Sequence, residues 1–163
     1  NNSDDSLKFI LAPHEINSRK IYRLVSEIEA SVVRFTDEDK RHFPASKVMI
    51  VDTIGHLSSI YKYGDVAYIG GGFGSGIHNI LEAATYYLPV IFGPNYHKFN
   101  EAVELIEKKA AFSISDYNGL SQKLDEIFNT PDELKECSQR AGDFVRSKLG
   151  ATEQILDKSL KII

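Results

Sequence analysis

The sequence is poor in features that mark several large classes of protein. It holds one cysteine, Cys137, in 163 residues, so neither an internal disulfide framework nor a cysteine metal cluster can form. Its 19 lysines and arginines are spread thinly against 23 acidic residues, and the net charge of −4 argues against a broad nucleic-acid footprint. No apolar stretch approaches the ~20 residues that span a bilayer. The longest, YYLPVIF at 86–92, is broken by Pro89. There is no signal-peptide pattern. These absences point to a globular chain of a reducing, cytosolic setting, and 42% apolar with 26% charged residues suits one domain with a proper core. The opening NNSDDS, residues 1–6, has no methionine and nothing to bury. It reads as a linker or a cut edge, as in a domain taken from a longer protein.

What the chain does have is an alternation of short apolar runs and amphipathic stretches. LKFILAP (7–13), SVVRFT (31–36), KVMIVD (47–52), DVAYIGG (65–71), PVIFG (89–93) and AFSIS (111–115) read as strands, the first of them buried. Ile21, Leu24, Val25 and Ile28 fall at helical spacing, which predicts a helix over 17–30. Further helices are expected over 57–63, 78–87, 99–110 and 117–129. In the fourth of the five helices so far, Glu104 is spaced to pair with Lys108. TPDE (130–133) has the form of a capping box with Pro131 in the first turn, opening a helix to about residue 149. A closing helix is expected over 152–162. Strands apolar on both faces, joined by helical crossovers, predict a Rossmann-like, doubly wound parallel α/β sheet.

The densest signal is GGGFGSGIHNILEA, residues 70–83, in which Gly70, Gly71, Gly72, Gly74 and Gly76 crowd the end of a strand. Ligands bind beyond the carboxyl ends of strands in open parallel sheets. Glycines there let backbone approach a ligand, and a following helix start offers unpaired N–H groups, a combination suited to phosphate. Two familiar phosphate motifs do not fit. A P-loop needs a lysine before Ser or Thr, and none follows the glycines. GxGxxG would require glycine at Ser75 or Ile77. A tight turn with close packing is the plainer alternative. Glu82, three residues after Asn79, shares a face with it, and a carboxylate there can accept hydrogen bonds from the vicinal hydroxyls of a ribose. It also suits a solvated first-turn glutamate, and His78 an ordinary residue at a helix start. Elsewhere on the expected rim, DTIG places Ile54 and Gly55 where backbone can face a flat base, or where Asp52 simply caps a turn. LAPHE places His14 where it can meet a phosphate or carboxylate, or serve as a turn residue without a ligand.

Taken together, the blocks DT-x-G-x-L…Y…D-V-A…GG, HN-x-LE-A and P-V-x-x-GP…F-x-E closely resemble the C-terminal domain of bacterial 3-deoxy-D-manno-octulosonic acid (Kdo) transferases, inverting glycosyltransferases of the two-domain GT-B architecture. The resemblance covers roughly residues 7–150. It implies a CMP-Kdo donor, a lipid A precursor as acceptor, and work at the cytoplasmic face of the bacterial inner membrane. It implies no metal and no cofactor. By position, Ile54 and Gly55 would lie near the cytosine. Gly72, Phe73, Gly74 and Gly76, with His78 and Asn79, would hold the phosphate. Glu82 would take the ribose hydroxyls, and Asn95, His97, Lys98 and Asn100 would line the rim of the donor pocket. The family's general base belongs to the N-terminal domain, so no catalytic residue is expected in this chain, and alone it is expected to be inactive. Two positions depart from the family. Pro13-His14-Glu15, with Arg19 a turn away, stands where an Arg-His pair is common, and His56 stands where an acidic residue is common. The donor domain of a UDP-sugar-using GT-B transferase or of a sugar-nucleotide epimerase, and a non-catalytic nucleotide-binding module, remain alternatives.

Overall fold

Short parallel strands form the centre of both halves of the chain. The computed structural model describes residues 7–39 and 42–150, which divide into two compact units meeting between Ile60 and Tyr61. The expected linker at 1–6 and the closing helix at 152–162 lie outside the described residues.

In the first unit, β1 (Phe9–Leu11) and β2 (Val32–Arg34) pair in parallel on either side of β3 (Val48–Ile50). Helix α1 (Ser18–Glu27) starts after Asn17 as expected but is shorter than its periodicity suggested, because the backbone turns extended at Ile28. Asn17 Oδ1 accepts from Arg19 N at 3.0 Å and Lys20 N at 3.4 Å, capping two otherwise unpaired donors. The apolar stripe then meets the sheet: Ile21 is buried with Val48 and Ile50, and Leu11, Leu24, Val25 and Ile28 pack against them. Strand β1 is not the buried strand that its sequence suggested. Phe9 is 44% and Ile10 37% exposed, because β1 is paired on one side only and just Leu11 reaches the cluster under α1. The short helix α2 (Leu57–Ile60) closes the unit.

The second unit has β4 (Ala67–Ile69), β5 (Val90–Phe92) and β6 (Ala111–Ser113) in that order, all parallel. Central β5 is wholly buried, and its side chains alternate between two faces. Val90 and Phe92 join a cluster with Ala83, Ala84, Ala102, Leu105 and Phe144. Ile91 points the other way, to Ile114 and Ile127. These faces are covered by α3 (Leu81–Thr85), α4 (Asn100–Glu107), α5 (Tyr117–Asn129) and α6 (Pro131–Ser147). Fully burying one such Ile or Phe stabilises by about 1.5–3 kcal/mol. This is the two-sided coverage that the apolar strands imply.

Local details differ from expectation where other partners compete. Thr130 starts α6 without a side-chain cap. Its capping-box partner Glu133 instead accepts from Cys137 Sγ at 3.4 Å and stands 3.8 Å from Arg140. Glu104 pairs with Lys148 at 2.6 Å, tying α4 to the end of α6, while Lys108 caps the end of α4.

Candidate nucleotide-binding site

The glycine loop leaves the carboxyl end of β4 and folds onto the loop that leaves β5. Gly74 N donates to Gly71 O at 2.9 Å, closing a turn, and Gly71 has a φ of +93° that glycine alone adopts cheaply. Backbone then packs on backbone. A Cβ on Gly72 would lie 2.6 Å from Gly93 N, and one on Gly93 would lie 2.6 Å from the carbonyl carbon of Gly72. Asn95 clamps the contact from the β5 side. Its N–H donates to Gly72 O at 2.9 Å and its side-chain Nδ2 to Gly74 O at 2.8 Å. Phe99 closes the far end, where its ring occupies the place of a Cβ on Gly76.

This packing leaves backbone donors without partners. Among the described residues, the N–H groups of Phe73, Ser75 and Gly76 have no acceptor in the protein. Phe73, Gly74 and Ser75 are exposed. Successive unpaired backbone N–H groups in a turn make a concavity suited to an anion. His78 stands at the inner side, its ring against Gly71 and its N–H donating to Gly70 O at 3.3 Å.

The helix expected over 78–87 is confined to α3, Leu81–Thr85. His78 N is turned back to Gly70, and Tyr87, with a φ of +63°, ends the run. So short a helix has little macrodipole, and it starts beyond His78 and Asn79. Asn79 instead serves α3 directly. Its Oδ1 accepts from Leu81 N at 3.1 Å and its Nδ2 donates to Glu82 Oε1 at 2.9 Å. Glu82 is exposed on the first turn. Tyr61, half-buried on the adjoining 3-10 turn, has its phenol pushed up by burial and by the Glu82 charge.

The loop after β5 carries the other expected residues. Asn95, His97, Lys98 and Asn100 are exposed, and Asn100 opens α4. Tyr96 packs on Phe92 at 5.4 Å between ring centroids, and His97 on Tyr96 at 4.2 Å. Among the described residues, Lys98 makes no ion pair. The second unit thus assembles the glycine loop, Asn79, Glu82 and the 95–100 loop on the side of its strand ends.

In the first unit, the candidate residues also follow strand ends. His14 is exposed after β1, beside an open groove of about 380 Å³ against α1. The cations of that groove are already engaged: Lys20 pairs with Glu15 at 2.5 Å and Arg23 with Glu27 at 2.6 Å. Ile54 is 83% exposed, and Gly55, with a φ of +90°, has open space around it. Asp52 is not a helix cap. It accepts from Thr36 N at 3.0 Å and Thr36 Oγ1 at 2.6 Å, joining the ends of β2 and β3. His56 packs its ring on Phe35 at 5.0 Å.

Sequence reasoning did not single out Gly93, Tyr61 or Phe99 as parts of this site. Gly93 had a signal, a glycine ending a strand before proline. The other two had none, since apolar rings in core-like patterns look alike until the loop lies against them.

No protein-family model matches the chain. Its relatives are consistent with one another. The 3-deoxy-D-manno-octulosonic acid transferase of Aquifex aeolicus is 34% identical over 132 residues, 80% of this chain and 36% of that protein. That of Rickettsia bellii is 33% identical over 117 residues, 70% of this chain and 27% of that protein. A probable mitochondrial counterpart in Arabidopsis thaliana is 27% identical over 152 residues, 90% of this chain and 34% of that protein. Among solved structures, the C-terminal CMP-Kdo binding domain of WaaA from Acinetobacter baumannii matches with a TM-score of 0.77 at 22% identity, over 88% of this chain and 76% of that one. The fold is therefore a Rossmann-like parallel α/β fold with a glycine loop at its strand ends. By sequence, the chain is a homologue of the Kdo transferases and spans about a third of the length of the curated relatives it matches.

Proposed function

We propose that the chain is the donor-binding half of a Kdo transferase of GT-B architecture, holding CMP-Kdo for transfer to a lipid A precursor at the cytoplasmic face of the inner membrane. The observation that carries this reading is the pairing of unpartnered backbone N–H groups at Phe73, Ser75 and Gly76 with the Glu82 carboxylate at the start of α3, in a homologue of Kdo transferases. Such N–H groups suit a phosphate, and Glu82 suits vicinal ribose hydroxyls. Exposed Lys98 supplies positive charge on the neighbouring loop. In the first unit, the Ile54–Gly55 turn is open and His14 is exposed. Among the described residues, no helix is long and apolar enough to cross a membrane.

The reaction is a substitution at the anomeric carbon. An acceptor hydroxyl oxygen forms the new bond, its proton passes to a base supplied from outside this chain, and the bond to the phosphate oxygen breaks with its electron pair going to CMP. The chain's part is electrostatic. Backbone N–H groups already fixed in place receive the charge that grows on the departing phosphate, without reorganising. Glu82→Ala is expected to weaken CMP binding about tenfold, or about 1.4 kcal/mol, with the circular dichroism of the fold unchanged. An unchanged dissociation constant would remove Glu82 from the ribose.

A further inference from the structure

We infer that Asn79 is a positioning residue that aims the Glu82 carboxylate; the inference rests on the ribose reading of Glu82. Both residues are exposed, and a lone glutamate on a helix surface samples several rotamers. The two bonds of Asn79 remove that freedom. Its oxygen must face Leu81 N, because only an acceptor satisfies an N–H, and this turns its nitrogen to Glu82 Oε1. The amide is thereby anchored to backbone at one end and holds the carboxylate with the other. Glu82 Oε2 and the second lone pair of Oε1 remain as acceptors, side by side, which is what two neighbouring hydroxyls require. These bonds commit the Asn79 oxygen and one of its two N–H donors to the start of α3.

Asn79→Asp separates the roles. Aspartate keeps an oxygen for Leu81 N, so that bond at the start of α3 is retained. It replaces the donor facing Glu82 with a second carboxylate oxygen, which repels it. Any added repulsion of phosphate acts equally on CMP and on 2′,3′-dideoxy-CMP, so the ratio of their dissociation constants isolates the ribose contact. The expected result for the 163-residue chain is a preference for CMP that falls about tenfold in Asn79→Asp, with no further fall when the change is made in Glu82→Ala. In the ligand-free chain, the Asn79 side-chain amide resonances should move on Glu82→Ala. Equal weakening for both nucleotides, or an equal effect in the Glu82→Ala background, overturns the inference and makes Asn79 a phosphate contact. If the unmodified chain does not distinguish the two nucleotides, the ribose reading fails and the inference falls with it. If it does distinguish them and Asn79→Asp leaves the ratio alone, only the inference falls.

Discussion

Gly72 and Gly93 lie backbone against backbone, at a distance that leaves no room for a Cβ on either. Two strand-end loops are thereby fused into one surface. Alanine at either position must push the loops apart, and overpacking of this kind costs about 1–3 kcal/mol. Gly72→Ala and Gly93→Ala should each lower the midpoint of denaturant unfolding. The double variant should lose less than the sum, because both act on one contact. Full additivity would show that the two glycines are separate problems.

Asn95 holds the glycine loop from across the site. Asn95→Ala keeps the backbone bond to Gly72 O and loses only the side-chain bond to Gly74 O. Amide exchange at Gly74 and Ser75 should quicken, and CMP binding should weaken by up to about tenfold while global stability falls by only about 0.5–1.5 kcal/mol. Unchanged exchange in that loop would show that the clamp contributes nothing to its order.

Tyr87 joins α3 to α6 under strain. Its φ is +63°, its hydroxyl is buried with no hydrogen-bond partner, and its ring lies where a Cβ on Gly142 would be. Tyr87→Phe should stabilise the chain by about 1–3 kcal/mol, since it removes an unsatisfied buried group and keeps the ring. Gly142→Ala should destabilise it by a similar amount. A lower melting temperature for Tyr87→Phe would mean that the hydroxyl has a partner.

Burial, reinforced by the Glu133 carboxylate beside it, pushes the Cys137 thiol up to about 11 from its ordinary 9.0. The folded chain therefore keeps this proton at pH values where an unfolded chain loses it. Stability from the thiol is complete below pH 9 and falls as pH rises toward about 11. The stability advantage of the native chain over Cys137→Ala should narrow across that window in chemical denaturation. Parallel curves would contradict the assignment.

The architecture was legible because it rests on periodicity. Alternating strands and crossovers implied a parallel α/β fold, and α5 occupies the residues its pattern indicated. What escaped was set by contacts that helical or strand periodicity does not encode, some of them far apart in sequence. Asn95 bonds to Gly74, 21 residues away, and nothing local to either residue announces it. The 78–87 helix was overextended because helical spacing around Glu82 says nothing of His78 N turning back to Gly70, or of the positive φ at Tyr87. The capping box failed for a similar reason, since Glu133 is drawn to Cys137 and Arg140 farther along α6. The glycine loop suggested an anion site, and the donors it could offer depend on which N–H groups the folded loop leaves unpaired.

The most direct test of the account is a titration of the chain with CMP, UMP and NAD, read by calorimetry and by backbone amide shifts. The account predicts binding selective for CMP, with the largest shifts at Phe73, Ser75, Gly76 and Glu82. Preference for UMP would point to a UDP-sugar enzyme, and absence of any nucleotide binding, with the fold intact, would contradict the assignment of this loop as a donor site.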